Sequence, residues 1–142
     1  IDAGSSVWFN VVIRADVAKV RIGKNTNIQD GSIVHVSSGG VDTIMGDDVL
    51  IGHMAMIHGS IIENGGFVGF NAATMDNSRI RQQGMLAAGS LLSPGKQIGE
   101  RELWMGRPAK FRSVIDDQML ANNKKGSEGY ANIAQKYLNE YF

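Results

Sequence analysis

The sequence predicts an all-β solenoid, a parallel β-helix with three short faces per coil, followed by a C-terminal α-helix. Aliphatic residues recur at every sixth position over most of the 142 residues. The positions between them are small or polar, with 18 Gly against 2 Pro. From about Ser113 the spacing changes to threes and fours. A six-residue period suits neither the three-and-four spacing of a helix nor the alternation of an exposed strand. It suits a coil in which one inward aliphatic side chain per face fills the axis, with Gly, Asn and Asp at corners that need positive φ.

The register opens with Ile1, Val7 and Ile13. Ile22, Ile28 and Val34 then head a first, a second and a third face. After a break, Met45, Ile51 and Ile57 repeat the set. One five-residue step leads to Ile62, Val68, Thr74, Ile80, Leu86 and Leu92, with Thr74 off pattern. Ile1 falls on an inward position, so further coils are expected before it, because an uncapped solenoid end exposes its core. Residues 1–112 are assigned to the solenoid and 113–142 to a helical segment lying along it. Residues 93–96 are expected to leave the repeat and 106–110 to form a second turn. Val114, Met119, Leu120, Ile133, Tyr137, Leu138 and Tyr141 carry the helical pattern, and Gly126 and Gly129 are expected to interrupt or kink it.

The chain has three histidines, and the register places them. His35 follows Val34 and His58 follows Ile57, so both stand one step after the inward residue of the third face. They project outward from successive coils, separated by one inter-strand spacing of roughly 4.8 Å. His53 lies two steps after Ile51, on the second face, too far round the coil to join them in its own chain. Three-histidine ligation of a metal therefore predicts a homotrimer, with the second face of one subunit against the third face of the next and a heterologous, closed interface. Arg14 follows Ile13 in the column of His35 and His58. Asp30 stands two steps after Ile28 in the column of His53. These two are candidates for an intersubunit ion pair, with Asp16 near enough to orient Arg14. Gln29 projects near the same corner. Trp8 is expected to anchor the interface, and the methionines to fill core or interface.

Composition narrows the partners. Fourteen basic and fourteen acidic residues cancel, so neither a nucleic acid nor a membrane surface is expected as a partner. Cysteine is absent, which excludes disulfides and thiolate ligands and is compatible with a reducing compartment. The expected location is the cytoplasm, or the mitochondrial matrix in a eukaryote.

The segments Val7-Trp8-Phe9-Asn10, Ile13-Arg14-Ala15-Asp16 and Asn27-Ile28-Gln29-Asp30-Gly31, then His35, Gly52-His53 and Ile57-His58-Gly59, closely resemble the γ-class carbonic anhydrases. The match covers nearly all of the solenoid. The resemblance implies a left-handed β-helix and a trimer with zinc, or iron or cobalt, between subunits. It implies a lyase that hydrates CO2 reversibly to bicarbonate through a hydroxide on the metal. His35, His53 and His58 would be the ligands, and Gln29 would orient the attacking hydroxide. Arg14 and Asp30 would link subunits, with Asp16 supporting Arg14. Tyr130-Ala131-Asn132 resembles the family's functional Tyr and Asn, so Tyr130 and Asn132 join the candidate residues.

Two departures bear on rate. The most active members carry a glutamate just after the Arg-x-Asp motif, where this chain has Val17, and another on a long acidic loop. Here that loop, residues 36–43, is short, with Asp42 its one acid. Slow turnover is expected, because the released proton lacks a carrier. Two other readings share the fold: a hexapeptide-repeat acyltransferase, with one catalytic His and a coenzyme A groove, and a non-catalytic metal-binding trimeric scaffold. Three clustered histidines argue against the first, and the missing acids keep the second open.

Overall fold

A computed structural model describes residues 1–141. The chain winds as a left-handed parallel β-helix. The first coil comprises β1 (Ser6–Val7), β2 (Val12–Arg14) and β3 (Val20–Ile22). The second holds β4 (Asn27–Ile28), β5 (Ile33–His35) and β6 (Thr43–Met45), and the third β7 (Leu50–Ile51), β8 (Met56–His58) and β9 (Ile61–Ile62). The fourth holds β10 (Phe67–Val68), β11 (Ala73–Thr74) and β12 (Arg79–Ile80), and the fifth β13 (Met85–Leu86), β14 (Leu91–Leu92) and β15 (Gln97–Ile98). A sixth begins with β16 (Glu102–Gly106), which turns back as an antiparallel hairpin with β17 (Ala109–Val114). The strands stack into three sheets, one per face: β3-β6-β9-β12-β15, β1-β4-β7-β10-β13-β16-β17 and β2-β5-β8-β11-β14.

The inward column from Ile22 to Leu92 is buried throughout, Thr74 included. Each such aliphatic side chain stabilises by about 1.5–3 kcal/mol relative to exposure. Thr74 is tolerated because its hydroxyl meets that of Ser60 at 2.8 Å inside the core. The corners use left-handed backbone at Asn10, Asn25, Asn71 and Asn77, where the short amide side chain is compatible with positive φ.

Ile1 is 71% exposed and Val7 43% exposed, although Val7 pairs in register with Ile28, because the first coil has a neighbour on one side only. Several expectations differ from the structure. Residues 93–96 do not leave the repeat: they form a corner, and Ile98 continues the buried column one six-residue step after Leu92. Trp104 follows after another six and pairs in register with Leu86. Ser113 and Val114 belong to β17, and helix α1 (Asp117–Tyr141) starts beyond them, with Asp116 Oδ1 accepting the Met119 N–H at 2.8 Å as its cap.

Gly126 and Gly129 leave α1 continuous. Each Gly costs a helix about 1 kcal/mol against Ala, and docking on the second face offsets that cost. A Cβ at Gly126 would sit 3.4 Å from Leu50 Cδ1, so the helix runs close over β7 there. Ser127 donates to the Asn25 carbonyl at 3.1 Å, Tyr130 meets Trp8 edge-on at 5.5 Å, and Tyr137 meets Phe9 at 5.7 Å. Trp8 thus anchors the helix of its own chain.

The Ser60–Thr74 pair generates a test of the core. Thr74→Val alone strands the Ser60 hydroxyl and should destabilise by about 1–3 kcal/mol. The double variant Ser60→Ala/Thr74→Val should regain most of that loss in urea unfolding. A double variant no more stable than Thr74→Val would mean the hydroxyl pair is not what stabilises this layer.

Candidate metal centre

Parallel in-register pairing decides which side chains meet. Arg14 pairs with His35, and His35 with His58, on β2, β5 and β8. The two imidazoles lie edge to face, with ring centroids 5.0 Å apart. Nδ1 of His35 faces Nε2 of His58 at 3.1 Å. Each ring also has a carboxylate on its other nitrogen. Asp16 Oδ1 lies 3.1 Å from His35 Nε2, and Asp76 Oδ1 lies 2.5 Å from His58 Nδ1.

These partners fix the tautomers. A neutral imidazole has one N–H and one lone pair. If each N–H is given to its carboxylate, the lone pairs of His35 Nδ1 and His58 Nε2 point at one another. Two lone pairs at that distance repel unless a proton or a cation lies between them. Tetrahedral zinc with Zn–N bonds of about 2.0–2.1 Å sets its ligand nitrogens roughly 3.3 Å apart, close to the spacing seen. This donor pair therefore fits a zinc-like cation. Arg14 Nη2 stands 3.4 Å from the same His35 nitrogen while its Nη1 is paired with Asp16. The hydrogen bond from His35 is the main reason the Asp16 carboxyl is held below its ordinary range; Arg14 adds to it, against slight desolvation. Burial opposes ionisation of Asp76, but hydrogen bonds from His58 and Ser37 and the two neighbouring imidazoles outweigh it and lower that carboxyl too.

His53 stands on the corner after β7, with its Nδ1 3.0 Å from Asp30 Oδ2 and its ring 5.1 Å from Phe70. As at His58, an aspartate stands beside Nδ1. Asp30 was expected to pair with Arg14 across an interface; within the chain it pairs with His53. Among the described residues, no group of three or more His, Cys, Asp or Glu encloses a metal ion. His35 and His58 share the third face, and His53 stands on the corner that leads to it. The second face, expected to meet a partner subunit, is covered along β1, β4 and β7 by the chain's own helix α1.

The remaining candidates divide. Gln29 is buried beside Asn27, donating from Nε2 to Asn27 Oδ1 at 3.3 Å, while its own Oε1 and Asn27 Nδ2 lack partners. Tyr130 packs on Trp8, and burial first, then the charge of Asp30, pushes its phenol above its ordinary range, so it remains a donor at neutral pH. Asn132 is exposed and lines a groove of about 390 Å³ with Asn25, Asp48 and Ser127. Asp42 accepts the Lys19 N–H at 2.8 Å and braces the start of β3. Sequence reasoning missed Asp76 and Asn27. Asp76-Asn77-Ser78 reads as an ordinary corner, and only the stacking of coils shows that its carboxylate reaches His58.

No family model matches the chain. It is 39% identical over 99% of its length to "Gamma carbonic anhydrase 1, mitochondrial" of Arabidopsis thaliana, covering 53% of that protein. The chain thus spans about half the length of the plant relatives that it matches. It is 37% identical over 92% of its length to a Methanocaldococcus jannaschii protein named "Probable carbonic anhydrase", covering 82% of it. Among solved structures, a hexapeptide transferase family protein from Anaplasma phagocytophilum matches 94% of the chain, and 78% of its own, with a TM-score of 0.90 and 39% identity. With the histidine columns in place and relatives of this likeness over nearly its whole length, the chain belongs to the γ-class carbonic anhydrase family.

Proposed function

We propose that the protein hydrates CO2 reversibly to bicarbonate at metal sites shared between the subunits of a homotrimer. The observation that carries this reading is the convergence of His35 Nδ1 and His58 Nε2, with aspartates on their far nitrogens and His53 beside Asp30 on the corner leading to that face. His35 and His58 of one subunit would hold the metal together with His53 of the partner subunit. Three neutral imidazoles suit zinc, and also iron or cobalt. Bound there, such a dication lowers the pKa of water to about 7 and so makes hydroxide available at neutral pH.

The chain's own residues would do the rest. Gln29 Oε1, buried and without a partner, would accept a hydrogen bond from the nucleophile and orient it. Arg14, braced by Asp16, and Asp30 would face each other across the interface. Exposed apolar residues flank the histidines: Val12 and Ile33 on the third face, Met54 and Phe70 at the corner leading to it. Such an apolar border supports burial against a second subunit. No helix among the described residues is long and apolar enough to cross a membrane. The plant relatives' names support the mitochondrial matrix as an alternative to the cytoplasm.

One observation favours a second reading, acyl transfer. The matched Anaplasma structure bears a transferase family name, and a His–Asp pair is a usable general base. That chemistry needs no metal, so metal content separates the two.

Subunit mixing tests shared ligation. His35→Ala and His53→Ala should each abolish tight zinc binding. Trimers exchanged between them should regain zinc at those interfaces where a corner with intact His53 meets a third face with intact His35 and His58. Equal failure of mixed and unmixed trimers would argue for sites within single chains.

Rate provides a further test. Val17, 52% exposed beside Asp16, offers no group to accept a proton. Turnover should then be limited by proton transfer, so imidazole buffer should raise kcat at least severalfold and Val17→Glu should partly replace it. Fast hydration indifferent to buffer would place the proton carrier elsewhere. A metal-replete trimer inactive in every buffer would favour the scaffold.

A further inference from the structure

We infer that Asp76 is a positioning residue for the metal site, holding His58 in the tautomer and orientation that leave Nε2 free to ligate. The inference rests on the reading of His58 as a ligand.

The carboxylate is placed by rigid backbone. Asp76 follows β11, one coil beyond His58. Its neighbours are tied into the ladder: Met75 N–H donates to the Leu92 carbonyl at 3.1 Å, Asn77 N–H to the Gly59 carbonyl at 2.7 Å, and Gly95 N–H to the Asp76 carbonyl at 3.0 Å. Gly59 clears the path. A Cβ there would lie 2.6 Å from Asp76 Oδ1 and 3.2 Å from its Cγ, so any larger residue would displace the carboxylate that reaches His58. Asp76 thereby ties its own coil to that of His58.

The consequence is chemical. With Nδ1–H donated to Asp76 at 2.5 Å, His58 has its lone pair on Nε2, the nitrogen facing His35. Without Asp76, the ring could turn or carry its proton on Nε2, and the donor pair would be lost. Carboxylates behind ligating histidines fix tautomer and ring orientation, and their removal weakens metal binding about 10–100-fold. Asp30 also stands beside Nδ1 of its histidine, His53, at 3.0 Å.

The test uses the whole chain and zinc alone. Zinc affinity is measured by competition with a chromophoric chelator for wild type, Asp76→Ala and Asp76→Ser; the serine is too short to reach the ring but keeps the corner polar. The ring tautomer of His58 is read in the zinc-free proteins from long-range nitrogen–proton NMR correlations. Expected is a loss of about 10–100-fold in zinc affinity, with trimer size unchanged and the His58 proton moved off Nδ1. A folded variant that keeps wild-type affinity and tautomer overturns the inference. If neither variant folds, the wild-type spectrum decides: a proton on Nε2 of His58 overturns it, and one on Nδ1 supports it. A wild-type trimer that takes up no zinc would sink the shared-site reading, while the tautomer would still show whether Asp76 holds the ring.

Discussion

Parallel stacking with one inward side chain per face is the constraint on which everything else in this molecule depends. It converts a distance along the chain into a position in space. Arg14, His35 and His58 are separated by a full coil each, yet they form one column because their strands pair residue for residue. The buried aliphatic column holds that register: a slip of one residue would send Val34 and Ile57 outward and turn the histidines into the core. The energy of the core and the geometry of the site are therefore set by the same pattern.

On this frame the electrostatics are built from repeated pairs. Each histidine has its own aspartate: Asp16 on His35, Asp30 on His53 and Asp76 on His58. For His35 and His58 the hydrogen bond to the carboxylate sets which nitrogen keeps its lone pair. The result is a set of nitrogens laid out in advance, with His35 and His58 on strands β5 and β8 and His53 on the corner between β7 and β8. The C-terminal helix seals the second face through Trp8, Phe9 and Ser127, and brings Tyr130 near the charge of Asp30.

Much of this was legible in the sequence because a strict period carries its own coordinates. The inward column, the stacking of His35 on His58 and the separation of His53 all follow from counting in sixes. What was not legible has physical reasons. The repeat seemed to stop at Leu92 because Ser93-Pro94-Gly95-Lys96 has the chemistry of a loop; in the structure those residues make one more corner, and Ile98 and Trp104 keep the count. Thr74 looked like a flaw until its partner Ser60, fourteen residues away, came into contact. Gly126 reads as a break from sequence, although a helix lying close to a sheet tolerates a small residue there; nothing in the structure calls for Gly129. Asp76 was hidden for a related reason: Asn and Asp are common at solenoid corners, so its type says nothing until the neighbouring coil is in place.

The central claim, that two histidines of one subunit and one of the next share a metal, is tested most directly by crystallography of the metal-replete protein at the metal's absorption edge. An anomalous-difference map should give three peaks per trimer, each bonded to His35 and His58 of one subunit and to His53 of the partner subunit. A peak held by side chains of a single chain, or a metal-replete trimer with no peak at this interface, would contradict it.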